Sequence, residues 1–478
     1  MRRTAHAAIA LVCALAAAAP ATNAVAASTL TIKGAGYGHG VGMSQFGALG
    51  YAQHGAGYRD ILGHYYAGTS IGQAAGGLIV RVLLQSPKRT SFTGATKAGD
   101  RPLRPDQVYR VVPRLDGTLQ LRSAKNHKLA TFPAPLQVTS PGPITLRGKA
   151  SNGLRDGAYR GWLEFRPGPV GNVLAINAIG LEQYVAGVVS AESPSNWPPA
   201  ALEAQAVAAR TYAITTSAGS DQGFTQYADT RSQMYRGVAA EMPSTNAAVN
   251  ATSGQVVTYG GRPATTYFFS TSGGRTENVE ESVLGNTPKP WLRSVADPYD
   301  DVSPWHRWKV RMTMKGASKK LHGLVHGKFQ GIVVVERGAS PRVRAADVVG
   351  SKGRTRVTGA MLRKRLDLRD TWAYFTAISS HKDDPEKQPS SDPADPSGGT
   401  PPAARAAAAD AGGVLAGRVV PVRFGSAVRV QRRVGRRWAR AATTLAGHGG
   451  IYRTTVPGPG LYRVVARGVT GPVVRIGR

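Results

Sequence analysis

Residues 181–216, LEQYVAGVVSAESPSNWPPAALEAQAVAARTYAITT, constrain this chain more than any other stretch. Leu181, Tyr184, Val185, Val188 and Val189 recur at i, i+3, i+4, i+7 and i+8, which is one apolar face of a helix. Trp197-Pro198-Pro199 then opens a second, Ala-rich helical run, because proline fits a first turn whose amides have no intrahelical partner. Glu192 sits between the two helices, followed by Ser193-Pro194. A lone carboxylate where a helix runs out, ringed by Val, Trp and Pro, fits a general acid whose pKa is lifted by partial desolvation. The same pattern fits a solvated turn glutamate, and residue pattern alone leaves both readings open.

The 478 residues allow two to three domains. Met1-Arg2-Arg3, an apolar run from Ala7 to Ala19 and the small residues Ala24-Val25-Ala26-Ala27 read as a secretory signal peptide over residues 1–27. The run is too short to span a bilayer, and no later segment is long and apolar enough, so an exported protein without a transmembrane segment is expected. Cys13, inside that signal, is the sole cysteine, and Val12 before it disfavours lipid attachment. The processed chain therefore lacks disulfides, thiol catalysis and cysteine-ligated metal. The formal charge is +32. A basic surface steers towards polyanions, which for an exported protein means the acidic polymers of the cell wall. Nucleic acid is not the expected partner, because no binding-module signature occurs.

From Thr31 to Gly42 the chain reads TIKGAGYGHGVG, with glycine at 34, 36, 38, 40 and 42. In extended chain this leaves one face bare for close approach by a strand or a ligand. Neither G-x-G-x-x-G nor a P-loop is present in the stretch. Residues 44–53 and 58–66 read as short helices, with Gly55 or Gly57 ending the first. Strand-like runs follow: LIVRVLL from 78, VYRVV from 108, TLQLR from 118, AYRGWLEF from 158 and NVLAINAI from 172. After the helical pair, residues 247–253 read as helical. Gly260-Gly261 is a two-residue hairpin turn between residues 256–259 and a strand over 265–269. That strand leads into a polar loop, STSGGRTEN at 270–278, whose hydroxyls, amide and charges suit a sugar or a plain surface loop equally. Residues 305–378 are a further α+β stretch. Residues 381–411 form a linker rich in Pro, Ser and Asp. Residues 412–478 hold 13 arginines and no acid, and their short strands read as a small basic β-sandwich. The expected architecture is thus an α+β core over 28–380, β-rich with the helical pair set into it, and an all-β tail.

Several chemistries drop out. There is no H-E-x-x-H for a helix-borne zinc protease and no G-x-S-x-G for a nucleophile elbow. His39, His54 and His64 are more readily ordinary hydrogen-bonded residues than a metal triad, so no metal is expected. A hydrolytic glycosidase needs two carboxylates; Glu203 follows Glu192 on the next helical run, and Asp229 or Glu277 can arrive by folding.

Residues 187–213, GVVSAESPSNWPPAALEAQAVAARTYA, resemble the signature of the stage II sporulation protein D and amidase-enhancer (SpoIID/LytB) family. That signature is Gly-Val-Val, an acid with proline two on, Trp-Pro, then Ala-x-x-Ala-Gln-Ala-Val-Ala-Ala-Arg-Thr-Tyr. Three further blocks resemble the same family: residues 34–69, DTRSQMY at 229–235 and STSGGRTENVEE at 270–281. The resemblance covers residues 29–378 and leaves out the linker and tail. Ser193 stands where the family usually has Met. The glycine-histidine block, which closes the domain in the sporulation protein, comes first here, so the resemblance implies a circularly permuted order. Such an order requires the chain near Thr31 and Ile378 to be close in space.

The family resemblance implies peptidoglycan glycan strands as substrate and lytic transglycosylase activity, with Glu192 as the single general acid and base. It implies sugar-binding or orienting roles for Gln205 and Arg210 on the following helix, for His39, Ser44 and Gln45 at the glycine block, and for Asp229, Ser272, Arg275, Glu277 and Asn278. Some sporulation members bind a metal through Cys and His near the block matching 229–235. This chain has neither residue there, so no metal or other cofactor is expected. The alternative is a non-catalytic activator of a muramoyl-alanine amidase, and such an amidase is then the protein partner. Glu192 is expected to face the Gly34–Gly42 ribbon across a glycan cleft.

Overall fold

The computed structural model describes residues 27–285, 287–383 and 411–477. The expected signal peptide, Cys13 and most of the expected linker lie outside these residues. The chain forms two compact units. One holds residues 32–311 and 315–375; the other holds residues up to 31, 312–314 and 376 onwards. Secondary structure is β-rich with interspersed helices, an α+β composition. Among the described residues no helix is long and apolar enough to cross a membrane.

In the larger unit the apolar runs become two antiparallel sheets. A seven-stranded sheet runs in the order Gln226–Tyr227, Ile79–Gln85, Val173–Gly180, Trp162–Pro167, Leu136–Thr139, Lys97–Ala98, Arg101–Pro102, with only the two-residue edge strand parallel to its neighbour. A six-stranded sheet carries Tyr109–Pro113, Leu119–Ser123 and Arg155–Tyr159 among its strands. The run read as one strand over 158–165 is two, in different sheets. Gly161 divides it, because its φ of +72° breaks the pleat and a Cβ there would stand 2.2 Å from the Ala178 carbonyl oxygen.

The helices are α1 (Gln45–Gln53), α2 (Tyr58–Tyr65), α3 (Leu181–Glu192), α4 (Pro199–Thr215) and α5 (Pro243–Ala251), with two more at Met314–Lys320 and Gly359–Leu366. Strand Val173–Gly180 runs straight into α3. The expected face of α3, Leu181, Tyr184, Val185, Val188 and Val189, lies in one buried cluster with both sheets and with Leu202, Ala206 and Ala209 of α4. The opposite side of α4, Ala204, Val207 and Ala208, packs in a second cluster with Ile61, Leu62 and Tyr65 of α2. Buried on both sides, α4 needs small residues to let its neighbours approach, which accounts for its alanines.

Two further sequence expectations change. Gly260 and Gly261 do form the turn, with φ of +57° and +76°. The returning strand, however, pairs only over Arg262–Pro263. Phe268–Phe269 instead pairs parallel with Met43–Ser44. The glycine stretch is not extended throughout. Strand Ala27–Gly34 ends where the alternation begins, and Gly36, Gly38, Gly40 and Gly42 all have positive φ. Its bare positions meet protein: a Cβ on Gly40 would lie 2.4 Å from the Arg342 Nε, and one on Gly42 2.0 Å from the Tyr267 carbonyl oxygen. Ala35 N–H donates to the Trp372 carbonyl at 3.1 Å, and strands Ala27–Gly34 and Ala373–Asp383 are sheet neighbours. The proximity that a permuted order demands is therefore met.

A five-stranded sheet runs in the order Trp308–Thr313, Ala27–Gly34, Ala373–Asp383, Ala411–Val420, Ile451–Pro457, the last two strands lying wholly in the smaller unit. The smaller unit's four-stranded sheet runs Arg437–Leu445, Ala427–Val434, Gly460–Ala466, Val469–Ile476. One buried cluster takes Ile378, Leu415, Val419 and Tyr452 from the first sheet and Val428, Val430, Tyr462 and Val464 from the second.

Candidate active site

Glu192 is the last residue of α3. Ser193 leaves the helix in extended conformation while its N–H still reaches the Val189 carbonyl at 2.8 Å, and Trp197 N–H closes a turn onto Pro194 at 3.2 Å. The Glu192 side chain is half-buried. Its Oε1 accepts the Met234 N–H at 2.6 Å, and its Oε2 accepts Gln45 Nε2–H at 3.1 Å. The same Gln45 nitrogen lies 3.3 Å from the Glu192 carbonyl oxygen. Burial pushes the carboxyl pKa above its ordinary value, against the two hydrogen bonds, which favour the charged form. No other acid is among the causes of that rise.

Each donor is itself held. Gln45 is the first residue of α1, fixed by the Ser44 hydroxyl, which caps the helix by accepting Gly47 N–H at 3.1 Å and also accepts Ser272 N–H at 3.2 Å. Met234 is presented by its neighbours. Gln233 Nε2 donates to the Tyr184 hydroxyl and the Ala209 carbonyl, and Tyr235 OH donates to Asn177 Oδ1 at 2.6 Å. The charge of Glu192 reaches the hydroxyls of Tyr184 and Tyr212 and raises the pKa of both, adding to the larger effect of their burial. Beside Gln45, Phe46 meets Trp197 edge-to-face with ring centroids 5.2 Å apart, both rings half-buried.

Of the residues the sequence nominated, Gln45 alone is bonded to Glu192. Gln205 is buried on α4, and neither of its amide atoms has a hydrogen-bond partner among the described residues. Arg210 does not serve the carboxyl. It is fully buried, its guanidinium grips Glu182 through two bonds of 2.8 and 2.6 Å, and it reaches the Gln255 carbonyl at 3.1 Å. Asp229 is bound on both oxygens by Arg231. Ser272 is fully buried, with its oxygen taking the Gly274 N–H. Arg275 is exposed. Asn278 Oδ1 accepts the Ser294 N–H at 2.8 Å.

His39 shares Nε2–H with the Phe268 carbonyl at 3.0 Å and takes the Val41 N–H on Nδ1 at 3.2 Å. Both nitrogens are used, and burial drives its pKa down to about 3, so the ring is neutral. His54 stacks on Tyr299, and His64 bonds the Ala296 carbonyl. Glu277 is buried and accepts from the Ser340 hydroxyl at 2.7 Å, and desolvation raises its pKa. His39 and Glu277 line a cavity of about 720 Å³ together with Tyr37, Arg342, Arg363 and Lys364. Among the described residues no group of three or more His, Asp or Glu is placed to hold a metal ion.

The stage II sporulation protein family (SpoIID) matches residues 170–259, which hold α3, α4, Glu192 and Met234. Stage II sporulation protein D of Bacillus subtilis (strain 168) is 33% identical over 212 residues, 41% of this chain and 60% of that protein. The protein of that name from Bacillus amyloliquefaciens is 31% identical over 211 residues, with the same coverage. Residues 170–259 thus carry a SpoIID family match. An amidase enhancer of Bacillus subtilis (strain 168) is 37% identical over 119 residues, 25% of this chain and 16% of the enhancer. The chain thus spans 60% of the SpoIID proteins' length and a smaller part of the enhancer's.

Met234, Tyr184, Tyr212 and the Phe46–Trp197 pair were not nominated by the sequence. Met234 acts through its backbone, which leaves no side-chain signal. The two tyrosines carry one, since each sits on a helix flanking the Glu192 turn.

Proposed function

We propose that this SpoIID/LytB protein is exported, acts at the cell wall, and cleaves peptidoglycan glycan strands as a lytic transglycosylase with Glu192 as its only acid and base. The observation that carries this is the state of the Glu192 carboxyl: partly desolvated, raised in pKa, held by two donors and perturbed by no second acid. In the first step the Glu192 carboxylic acid protonates the oxygen between N-acetylmuramic acid and N-acetylglucosamine, and the C1–O bond breaks. In the second, the carboxylate removes the proton from the muramyl 6-hydroxyl as that oxygen attacks C1. A 1,6-anhydro ring closes and the carboxylic acid is regenerated. No water is activated, so no second carboxylate is required, unlike in hydrolytic glycosidases. The Met234 and Gln45 donors stabilise the carboxylate that exists between the steps.

The test is digestion of purified glycan strands by the wild type and by Glu192→Gln. Anhydromuramyl ends that form with the wild type and vanish in the variant are expected. Wild-type protein that produces none, with or without stem peptides present, overturns the enzyme reading.

The similarity to an amidase enhancer supports a second reading, in which the protein binds a wall amidase and stimulates it. That reading keeps the fold and predicts that Glu192→Gln stimulates the amidase as well as the wild type does. For the rest of the chain, we read the block order as a circular permutation and residues 412–478 as a small β-sandwich.

A further inference from the structure

We infer that the outer face of the four-stranded sheet in the smaller unit is a docking surface for a phosphodiester-linked wall polymer. The inference rests on the wall-facing reading above but not on catalysis.

The face follows from strand alternation. On Ala427–Val434, Val428 and Val430 are buried while Arg429 and Arg433 are exposed. Residues directly opposite each other on paired strands share a face. Register therefore adds Trp438 opposite Arg433, Arg440 and Arg463 on either side of Gln431, and Arg475 opposite Leu461. The result is five arginines and one tryptophan on a surface four strands wide, about 15 Å across at ordinary strand spacing. None of the five arginines is ion-paired among the described residues, and residues 411–477 contain no acid with which to pair them.

Two details point to phosphate rather than to generic positive charge. The first is compositional: residues 411–478 contain 13 arginines and not one lysine, whereas 16 of the 47 basic residues in the rest of the chain are lysine. A solubilising surface has no use for that distinction, whereas a planar guanidinium fork binds phosphate oxygens in pairs and an ammonium does not. The second is preorganisation. Arg463 lies 4.2 Å over the Trp438 ring, and its Nε donates to Gln431 Oε1 at 2.8 Å, so its outer nitrogens are held in one orientation.

The spread of charge over the face suits a repeating polyanion better than a compact ligand. The same tryptophan argues against single-stranded nucleic acid, whose non-specific binders offer aromatic rings for base stacking. Here one face of the ring is covered by a guanidinium. The partner chemistry is thus a chain of phosphodiesters without bases, as in the polyol-phosphate polymers of a wall.

The full-length chain is tested by cosedimentation with intact walls and with walls from which hydrofluoric acid has removed the phosphodiester polymer but not the glycan. All samples carry Glu192→Gln so that the walls stay intact. One variant replaces Arg429, Arg433, Arg440 and Arg475 by Ser; a charge-matched control replaces the exposed lysines Lys125, Lys128, Lys320 and Lys352 by Ser. The proposal expects binding at 0.15 M salt to fall about tenfold or more on stripped walls and in the arginine variant, and far less in the control. The arginine variant is also expected to flatten the salt dependence of binding by about three counterions. Retention that survives stripping, or that falls equally in both variants, overturns it. So does duplex DNA that displaces the wall polymer at lower phosphate concentration than the free polymer does. Because binding is read without turnover, failure here leaves the glycan-cleavage result standing, and the reverse holds as well.

Discussion

Gln45 Nε2 donates to Glu192 Oε2 at 3.1 Å across 147 residues of chain. This bond joins the glycine-histidine block to the block that carries the carboxylate, and it favours the charged form of the acid. Removing it in Gln45→Leu raises the Glu192 pKa further. The alkaline limb of the pH–rate profile, set by loss of the acid's proton, is expected to move to higher pH. Under the proposed mechanism kcat falls about tenfold as well, because the carboxylate formed between its two steps loses a donor. Anhydromuramyl release measured between pH 4 and 9 checks both. An unmoved limb means that Gln45 only packs.

The raised pKa of Glu192 carries a stability cost with a definite sign. Below the unfolded-state value of 4.5 the group is protonated in both states and costs nothing. As pH rises through 4.5 towards the higher folded-state value, the unfolded chain ionises more readily and the native state loses stability. The loss is about 1.4 kcal/mol for each pH unit that separates the folded from the unfolded value. Glu192→Gln does not titrate. Its oxygen still accepts from Met234, and rotation of the Gln45 amide restores a donor–acceptor pair. The variant is therefore expected to melt higher than the wild type at pH 7 and equally at pH 4. A lower melting temperature at pH 7 contradicts this account of the carboxyl.

Arg210 separates a structural role from a binding one. Its guanidinium has no exposure and holds Glu182 together with the carbonyls of Val249 and Gln255. Removing one partner of such a pair strands the other groups, and Arg210→Met is expected to cost about 3 kcal/mol. Denaturant unfolding measures this directly. If stability holds while the KM for glycan rises, the residue belongs to the substrate site after all.

The sequence readings succeeded where a local period decided the structure. The face of α3 from Leu181 to Val189 is buried as its spacing requires, and α4 begins at the second proline of the Trp-Pro-Pro run. They failed where the deciding partner was distant. The family resemblance implies a sugar-binding or orienting role for Arg210. Its spacing from Ala206 and Ala213 already placed it on the buried stripe, but nothing local revealed Glu182 as its partner. Glycines at every second position look like extended chain, because φ is not written in composition. Residues 265–269 look like a hairpin arm, and only the tertiary structure draws Phe268–Phe269 away to Met43–Ser44. At the candidate site Glu192 and Gln45 are both nominated by sequence, Gln45 for a sugar-binding or orienting role rather than as the carboxyl's donor, whereas the Met234 amide leaves no side-chain signal.

Gly42 and Gly55 test the reinterpretation of the ribbon, because both have strongly positive φ, +76° and +85°. Alanine at either incurs the same left-handed penalty, about 1 kcal/mol. The surroundings differ. A Cβ at Gly55 meets nothing within 4 Å, whereas one at Gly42 falls 2.0 Å from the Tyr267 carbonyl oxygen, which also accepts Met43 N–H and Tyr66 OH. Gly42→Ala must displace that carbonyl and adds about 1–3 kcal/mol of overpacking. If the bare positions serve to seat protein, Gly42→Ala is expected to lower the unfolding free energy well beyond Gly55→Ala, with parallel loss in thermal and denaturant melts. If they serve to admit a glycan, Gly42→Ala instead leaves stability near that of Gly55→Ala and raises KM. The two outcomes are separated by one unfolding titration and one substrate series.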